Sequence, residues 1–311
     1  IIGGHPFVHG LEKVKKAGYQ IVFTETAALS LKYDLNVVHS LGFEIIDDNS
    51  PQVEDFISNS DYLSIELVDV NFPRLGSFLE ECQIGISEID VVMLCAQDHG
   101  LHAPGESARE VRFEAYREAL ERTGNLSHML YGKGEVPQKF PRLIYNFDLL
   151  QEYFPNTKAS FVMDSSPAVL LGGKLGYPYH NKAITVVNLG NGHTLIATLG
   201  KSGEVYALCE HHTGKLRNGH LDEVLRAYFA KELTSQQILT EGGHGVLYKE
   251  EFETGIPNEI LAIGPRRAMT KASRLSFRLI NPLGLSMMMA GPLGMIAAYE
   301  ERMGITILEK P

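Results

Sequence analysis

Cysteine is scarce in this chain. Cys82, Cys95 and Cys209 are its three, and no two stand close enough in sequence to form a CxxC pair. Isolated apolar thiols point to a reduced, cytoplasmic setting. An iron–sulfur cluster needs a close cysteine group, and that is lacking. Also missing is any uninterrupted apolar run of about 18 residues, so no membrane partner is expected, and there is no signal peptide. Basic charge is short: 28 Lys and Arg against 38 Asp and Glu give a net charge of −10. That argues against a nonspecific nucleic-acid partner, whose phosphates need a basic face. A single nucleotide remains compatible, because backbone N–H groups and one or two cations can hold it. The sequence opens at Ile1 without a methionine, and an upstream segment is expected before it.

What is present suits a globular protein: 44% hydrophobic and 21% charged residues over 311 positions. At about 100–200 residues per domain, that length suggests two domains or two lobes. LEKVKKAG and NVVHSLG read as helices stopped by Gly18 and Gly42, and YQIVFT and FEIID as strands. Tyr62–Val70 alternates in part, as a strand would. The run Val91–Ala96 reads as a buried central strand. After the loop QDHGLHAPGE, Ser107 and Glu110 form a capping-box pattern for a helix ending near Gly124. Residues 125–160, with scattered Gly, Pro and aromatics, suggest an irregular connection. Residues from 184 on read as three strands joined by glycine turns at Gly190, Gly192 and Gly203, then the helix HLDEVLRAYFAKEL. Alternating elements imply an α/β fold.

Four segments of the second half carry the functional reading. VMDSSPAVLLGGKLG (Val162–Gly176) delivers Asp164 from a strand into a small-residue helix, where its carboxylate would either orient a water or accept a proton, or cap the helix. VVNLGNGHTLIATL (Val186–Leu199) is a hairpin whose turn, Gly190, Asn191, Gly192, His193 and Thr194, could face backbone N–H groups toward a phosphate; an ordinary Asn-Gly hairpin is the other reading. EILAIGPRR (Glu259–Arg267) is an apolar strand ending at Gly264, with Arg266 and Arg267 able to stack on a base or pair with a phosphate. SMMMAGPLGMIAAYE (Ser286–Glu300) is a second small-residue helix, which Pro292 would kink or start.

In this order the four segments resemble four of the five signature motifs of the actin-like ATPase superfamily, which includes sugar kinases, actin and the seventy-kilodalton heat-shock chaperones. The resemblance implies a two-lobed, ribonuclease H-like α/β architecture with an incomplete first lobe that lacks its phosphate hairpin. Lobe I would span 1–170, lobe II 171–285, and a connecting helix 286–311 would return to lobe I. ATP with magnesium is the implied ligand. Asn188, Pro265 and Ser286 depart from the aspartate, glycine and aspartate of the usual motifs, which puts magnesium handling in doubt. A closer resemblance rests on AQDHG, NLGNGHT, CEHHTG, EGGHG and IGPRR, which are similar to the uncharacterised prokaryotic domain-of-unknown-function family number 1786. Some of its members carry the label of pyruvate formate-lyase activating enzymes, which the three isolated cysteines do not support.

Five of the 12 histidines lie in those strings: His99, His193, His211, His212 and His244. With Asp98 they are candidate ligands for a transition metal, or donors to a phosphate or substrate; Asp98 and His99 are also candidate catalytic groups. Adjacent His211 and His212 should point to opposite faces of a strand. Three functions follow. The first is an ATP-dependent hydrolase or phosphotransferase, the second a nucleotide-dependent switch or assembly factor with little turnover, the third a histidine-based metallohydrolase. The partner would be a small nucleotide or phosphate compound, and a homo-oligomer stays open.

Overall fold

The computed structural model describes residues 5–31, 34–103, 105–175, 177 and 183–309. Ile1 and the Gly176 end of the first connecting segment lie outside the described residues. The chain divides into two compact units, Ile1–Glu88 with His102–Glu106, and Ile89–Leu101 with Ser107–Pro311. No helix among the described residues is long and apolar enough to cross a membrane.

The smaller unit contains α1 (His5–Lys16), β1 (Val22–Thr24), α2 (Glu25–Leu29), α3 (Leu35–Ser40), β2 (Glu44–Ile46), α4 (Pro51–Ser58) and α5 (Phe72–Glu81). β1 and β2 pair in parallel over three residues. Phe23, Ala28, Leu31, Val38 and Phe43 form its core. Tyr62–Val70, expected to alternate as a strand, is irregular. Leu63 and Ile65 there are 86% and 64% exposed, so no sheet face covers the apolar positions that suggested a strand.

The larger unit begins with β3 (Val91–Ala96), α6 (Ala108–Thr123), α7 (Pro141–Tyr153), β4 (Ala159–Asp164) and α8 (Ser165–Lys174). It continues with β5 (Ile184–Leu189), β6 (His193–Leu199), β7 (Val205–His212), α9 (His220–Phe229), α10 (Ser235–Thr240) and β8 (Gly245–Tyr248). β9 (Ile260–Ile263), β10 (Phe277–Leu279) and α11 (Ala290–Met303) complete it. The Ser107 hydroxyl caps α6, and Gly124 ends it in the left-handed region at φ 73°. Residues 125–160, expected to be irregular, contain the 13-residue α7, which starts on Pro141 in its first turn. Pro292 likewise sits in the first turn of α11 and marks its start.

β3 and β4 pair in parallel over six residues. The main sheet runs β10-β9-β5-β6-β7-β8. β5, β6 and β7 form an antiparallel meander, and β9 returns parallel to β5, with β10 parallel beyond it. A meander flanked on its first strand by two parallel returns is the ribonuclease H-like arrangement the motifs implied. One face carries α9, whose Leu221, Val224, Leu225 and Tyr228 recur at helical spacing and pack on Val187, Ile196 and Cys209. Each such buried aliphatic side chain contributes about 1.5–3 kcal/mol. The small-residue helices α8 and α11 pack so closely that a Cβ on Gly172 would collide with the Ala290 carbonyl, and one on Gly294 with that of Ala168.

Candidate functional site

The polar centre of the larger unit is organised by one arginine. Arg112, fully buried on α6, reaches Asp164 at the end of β4 (Nη1–Oδ2 2.8 Å) and Glu210 on β7 (Nε–Oε1 3.0 Å). Its Nη1 also donates to the Asp98 carbonyl, and Nη2 to the Tyr116 hydroxyl at 2.6 Å. Burial works against both carboxylates, but the guanidinium beside them holds Asp164 below and Glu210 well below the usual carboxylate range.

Asp164 has no free acceptor for a substrate proton. Oδ1 accepts from Ser166 N, Tyr116 Oη and Arg112 Nη2, and Oδ2 from Asp98 N and Arg112 Nη1. A carboxylate offers about four lone-pair sites, and these partners fill them. These bonds make Asp164 the cap of α8, one of the two roles weighed from the sequence, and one end of an ion pair. Asp98 is similarly committed: Oδ1 accepts from Gly100 N at 2.9 Å and Oδ2 from Leu143 N at 3.0 Å. The second bond caps α7, whose own N-cap residue, Phe140, has no side-chain acceptor. Burial raises the Asp98 carboxyl above its ordinary value.

The histidine strings converge. His193 opens β6 and His212 closes β7 as its cross-strand partner, and His244 precedes β8 with its N–H on the Glu210 carbonyl at 2.9 Å. Alternation along β7 puts Glu210 and His212 on one face and His211 on the other. The His193 ring centroid lies 4.8 Å from that of His212 and 4.6 Å from that of His244, and the latter two are 5.0 Å apart. His99 stands 5.5 Å from His193. Burial lowers His99 and His212 to about 4 and His244 to about 3, so these imidazoles are uncharged near neutral pH. His211 belongs to a separate group on the α9 and α10 face. Its Nε2 and that of His220 share Glu241 Oε2 at 3.3 and 3.0 Å. Of the six metal candidates, His193, His212 and His244 bring ring nitrogens together, His99 stands beside them, and Asp98 and His211 fall outside.

The phosphate-type turn and the adenosine-type loop are neighbours. Gly264, at φ 101°, presses on the Leu189 carbonyl and the Asn188 amide so closely that no side chain fits. Arg266 N donates to the Leu189 carbonyl at 2.9 Å. Beside them is a cavity of about 330 Å³ lined by Asn191, Thr213, Arg217, Gly219, Asp222 and Arg266, among others. Asp222 is held by Ser273 Oγ and by Arg274 N at 2.7 Å. Arg267 turns away, donating to the Ile280 carbonyl and to Asn281. The Thr194 hydroxyl is buried against Thr213 at 2.9 Å. Gly190 closes the turn through its N–H on His193 O, and the Gly192 carbonyl receives Thr213 N.

A family model described as "Putative pyruvate format-lyase activating enzyme (DUF1786)" matches residues 2–269. The chain belongs to this family. No functionally curated protein matches the sequence. Among solved structures, the chain is similar to the activator of the 2-hydroxyisocaproyl-CoA dehydratase from Clostridium difficile with bound ADPNP. Identity there is 10%, the match covers 48% of this chain and 72% of that one, and the TM-score is 0.26. It is similar to MreB5 of Spiroplasma citri bound to ADP at 12% identity, covering 78% of each chain with a TM-score of 0.32. It is also similar to a PilM-PilN type IV pilus biogenesis complex at 14% identity, covering 80% and 90% with a TM-score of 0.34.

The DUF1786 description does not fit the thiols. A radical activating enzyme holds its cluster on closely grouped cysteines, whereas Cys82, Cys95 and Cys209 stand apart in the sequence and Cys209 is buried in the core under α9. Magnesium fits no better: Asn188 is an amide, Ser286 caps the turn after it through Met288 N, Asp164 is filled, and Asp98 is engaged by the Gly100 and Leu143 N–H groups. The sequence does not single out Arg112, Tyr116 or Glu210. Arg112 is one of four arginines spread around a helix with no apolar stripe. Glu210 was findable, as the lone acid in the apolar strand VYALCEHH.

Proposed function

We propose that this chain binds a nucleoside phosphate in the cavity beside the β5–β6 turn and acts as a nucleotide-dependent switch with slow turnover. The observation that carries the reading is the cavity itself, of about 330 Å³, with Arg217 and Arg266 on its wall and Leu216, Leu221 and Met269 as apolar lining. That combination suits a base and sugar against apolar surface with phosphate near the guanidinium groups. The order of the phosphate-type and adenosine-type segments, and the Arg266–Leu189 bond that keeps them adjacent, support the same ligand. Slow turnover is favoured because the acceptor sites of Asp164 are filled, Asp98 is engaged by the Gly100 and Leu143 N–H groups, and Asp222 in the cavity wall is engaged by Ser273 and Arg274. His99, uncharged and near the cluster, is the remaining candidate base for a hydrolase or phosphotransferase.

Calorimetric titration with ADP and ATP tests this. Replacing Arg217 or Arg266 by Ala should weaken binding about 10-fold each, the scale of one charge-assisted contact. Phosphate release should stay far below one turnover per minute-scale binding event. Failure of the wild-type chain to bind either nucleotide, or full affinity in both variants, would overturn the reading; rapid phosphate release abolished by His99→Ala would convert the switch to an enzyme.

A further inference from the structure

We propose that His193, His212 and His244 form a binding site for a divalent first-row transition ion, zinc foremost, with one coordination position left open. One ring nitrogen from each lies within 4.8 Å of the other two. Zinc–nitrogen bonds of about 2.0–2.1 Å set tetrahedral ligands roughly 3.3 Å apart, so side-chain adjustments of about an ångström close the set. Three adjacent antiparallel strands deliver the rings at one end of the sheet, and backbone pairing fixes the spacing: His193 opposite His212, and His244 bonded to Glu210.

The surroundings suit a ligand role. His193 Nδ1 donates to Glu210 Oε1 at 2.7 Å, which leaves the other ring nitrogen as the one whose lone pair can take an ion. A carboxylate behind a ligating imidazole is how metal sites fix tautomer and orientation. His244 is 97% buried by the exposure of only 3%, yet its Nδ1 has no hydrogen-bond partner. A buried polar atom left so is unfavourable, which an ion-ligating role for the ring would offset. The nearby cations are already held: Arg109 by the Leu239 and Gly243 carbonyls, Arg112 by its two carboxylates. In the rival group His211 Nε2 and both nitrogens of His220 are already paired with Glu241 and Glu223, and His211 Nδ1 alone is left without a partner. Three imidazoles and an open position form the donor set of an ion that acts on a bound water or substrate oxygen. This site does not depend on the nucleotide reading.

The test is a titration of the chelator-stripped full chain with zinc by calorimetry and with cobalt(II) by visible absorption. About one ion per chain should bind, with the intense visible bands of four- or five-coordinate cobalt. His212→Ala and His244→Ala should each weaken binding on the order of 100-fold, while His220→Ala leaves it unchanged. Nitrogen NMR of the histidine rings in the wild-type chain needs no variant: zinc should shift a ring nitrogen of His193, His212 and His244 and spare His220. Absence of binding tighter than millimolar, loss of binding in His220→Ala, or ring shifts confined to other histidines would overturn the site.

Discussion

Arg112 is a residue whose worth is set by what would be left without it. Two carboxylates, Asp164 and Glu210, face it with almost no exposure. Removing one member of such a buried pair leaves an uncompensated charge and costs about 3–5 kcal/mol. Asp164→Asn is therefore expected to be far from silent, although Asn caps helices about as well as Asp. The new amide would bring donors against the Asp98 and Ser166 N–H groups and the guanidinium. Because the folded Asp164 lies below its ordinary value, its contribution is fully present above about pH 4, the unfolded value, and fades as pH falls through the folded one. The stability gap between wild type and Asp164→Asn should thus be widest near neutrality and close in acid; urea midpoints measured across that range would show a constant gap if the pair contributes nothing. The position of Asp164 at a strand end was readable from SFVMD. Its partner was not, because Arg112 lies 52 residues away and resembles every other arginine on its helix.

Elements with strong local patterns were legible. The apolar runs of β3 and β5–β7, the caps of α6 and the apolar stripe of α9 all needed only neighbours in sequence. α7 was hidden because its N-terminus is capped from afar by Asp98, so no local Ser, Thr or Asp announces it. Tyr62–Val70 misled because alternation signals a strand only where a sheet face exists to cover it. The α8–α11 contact was half legible: the small residues announced close packing, but the partner carbonyls needed the fold. There, Gly294→Ala should lower stability by about 1–3 kcal/mol, through overpacking, and the thermal midpoint by roughly 2–12 °C. An unchanged melt would mean the helices separate freely.

At the scale of the molecule, the two units differ in how much structure each encloses. The smaller has a three-residue parallel pairing and a five-residue core, whereas the larger holds a six-stranded sheet covered by helices. Local opening follows buried apolar contact and protected hydrogen bonds. Hydrogen exchange should therefore run fastest in β1 and β2 and slowest in β5, β6 and β7; equal protection in both would contradict this. The ribonuclease H-like class was expected from the motif resemblance, whereas the make-up of the histidine cluster was not. Its membership depends on strand register, which no sequence spacing fixes; alternation along β7 separates His211 from His212, but register decides which of the two meets His193 and His244.

The bridge at Arg112 also bears on how related sequences can differ. One guanidinium neutralises two acids drawn from separate sheets, so losing it strands both, and losing either acid alone unbalances the other two. No single exchange among the three is mild, and the path between two tolerated states passes through a destabilised intermediate. Positions 112, 164 and 210 form one unit of inheritance: across the family they should change in concert or stay fixed, and an alignment in which they vary independently would break that expectation.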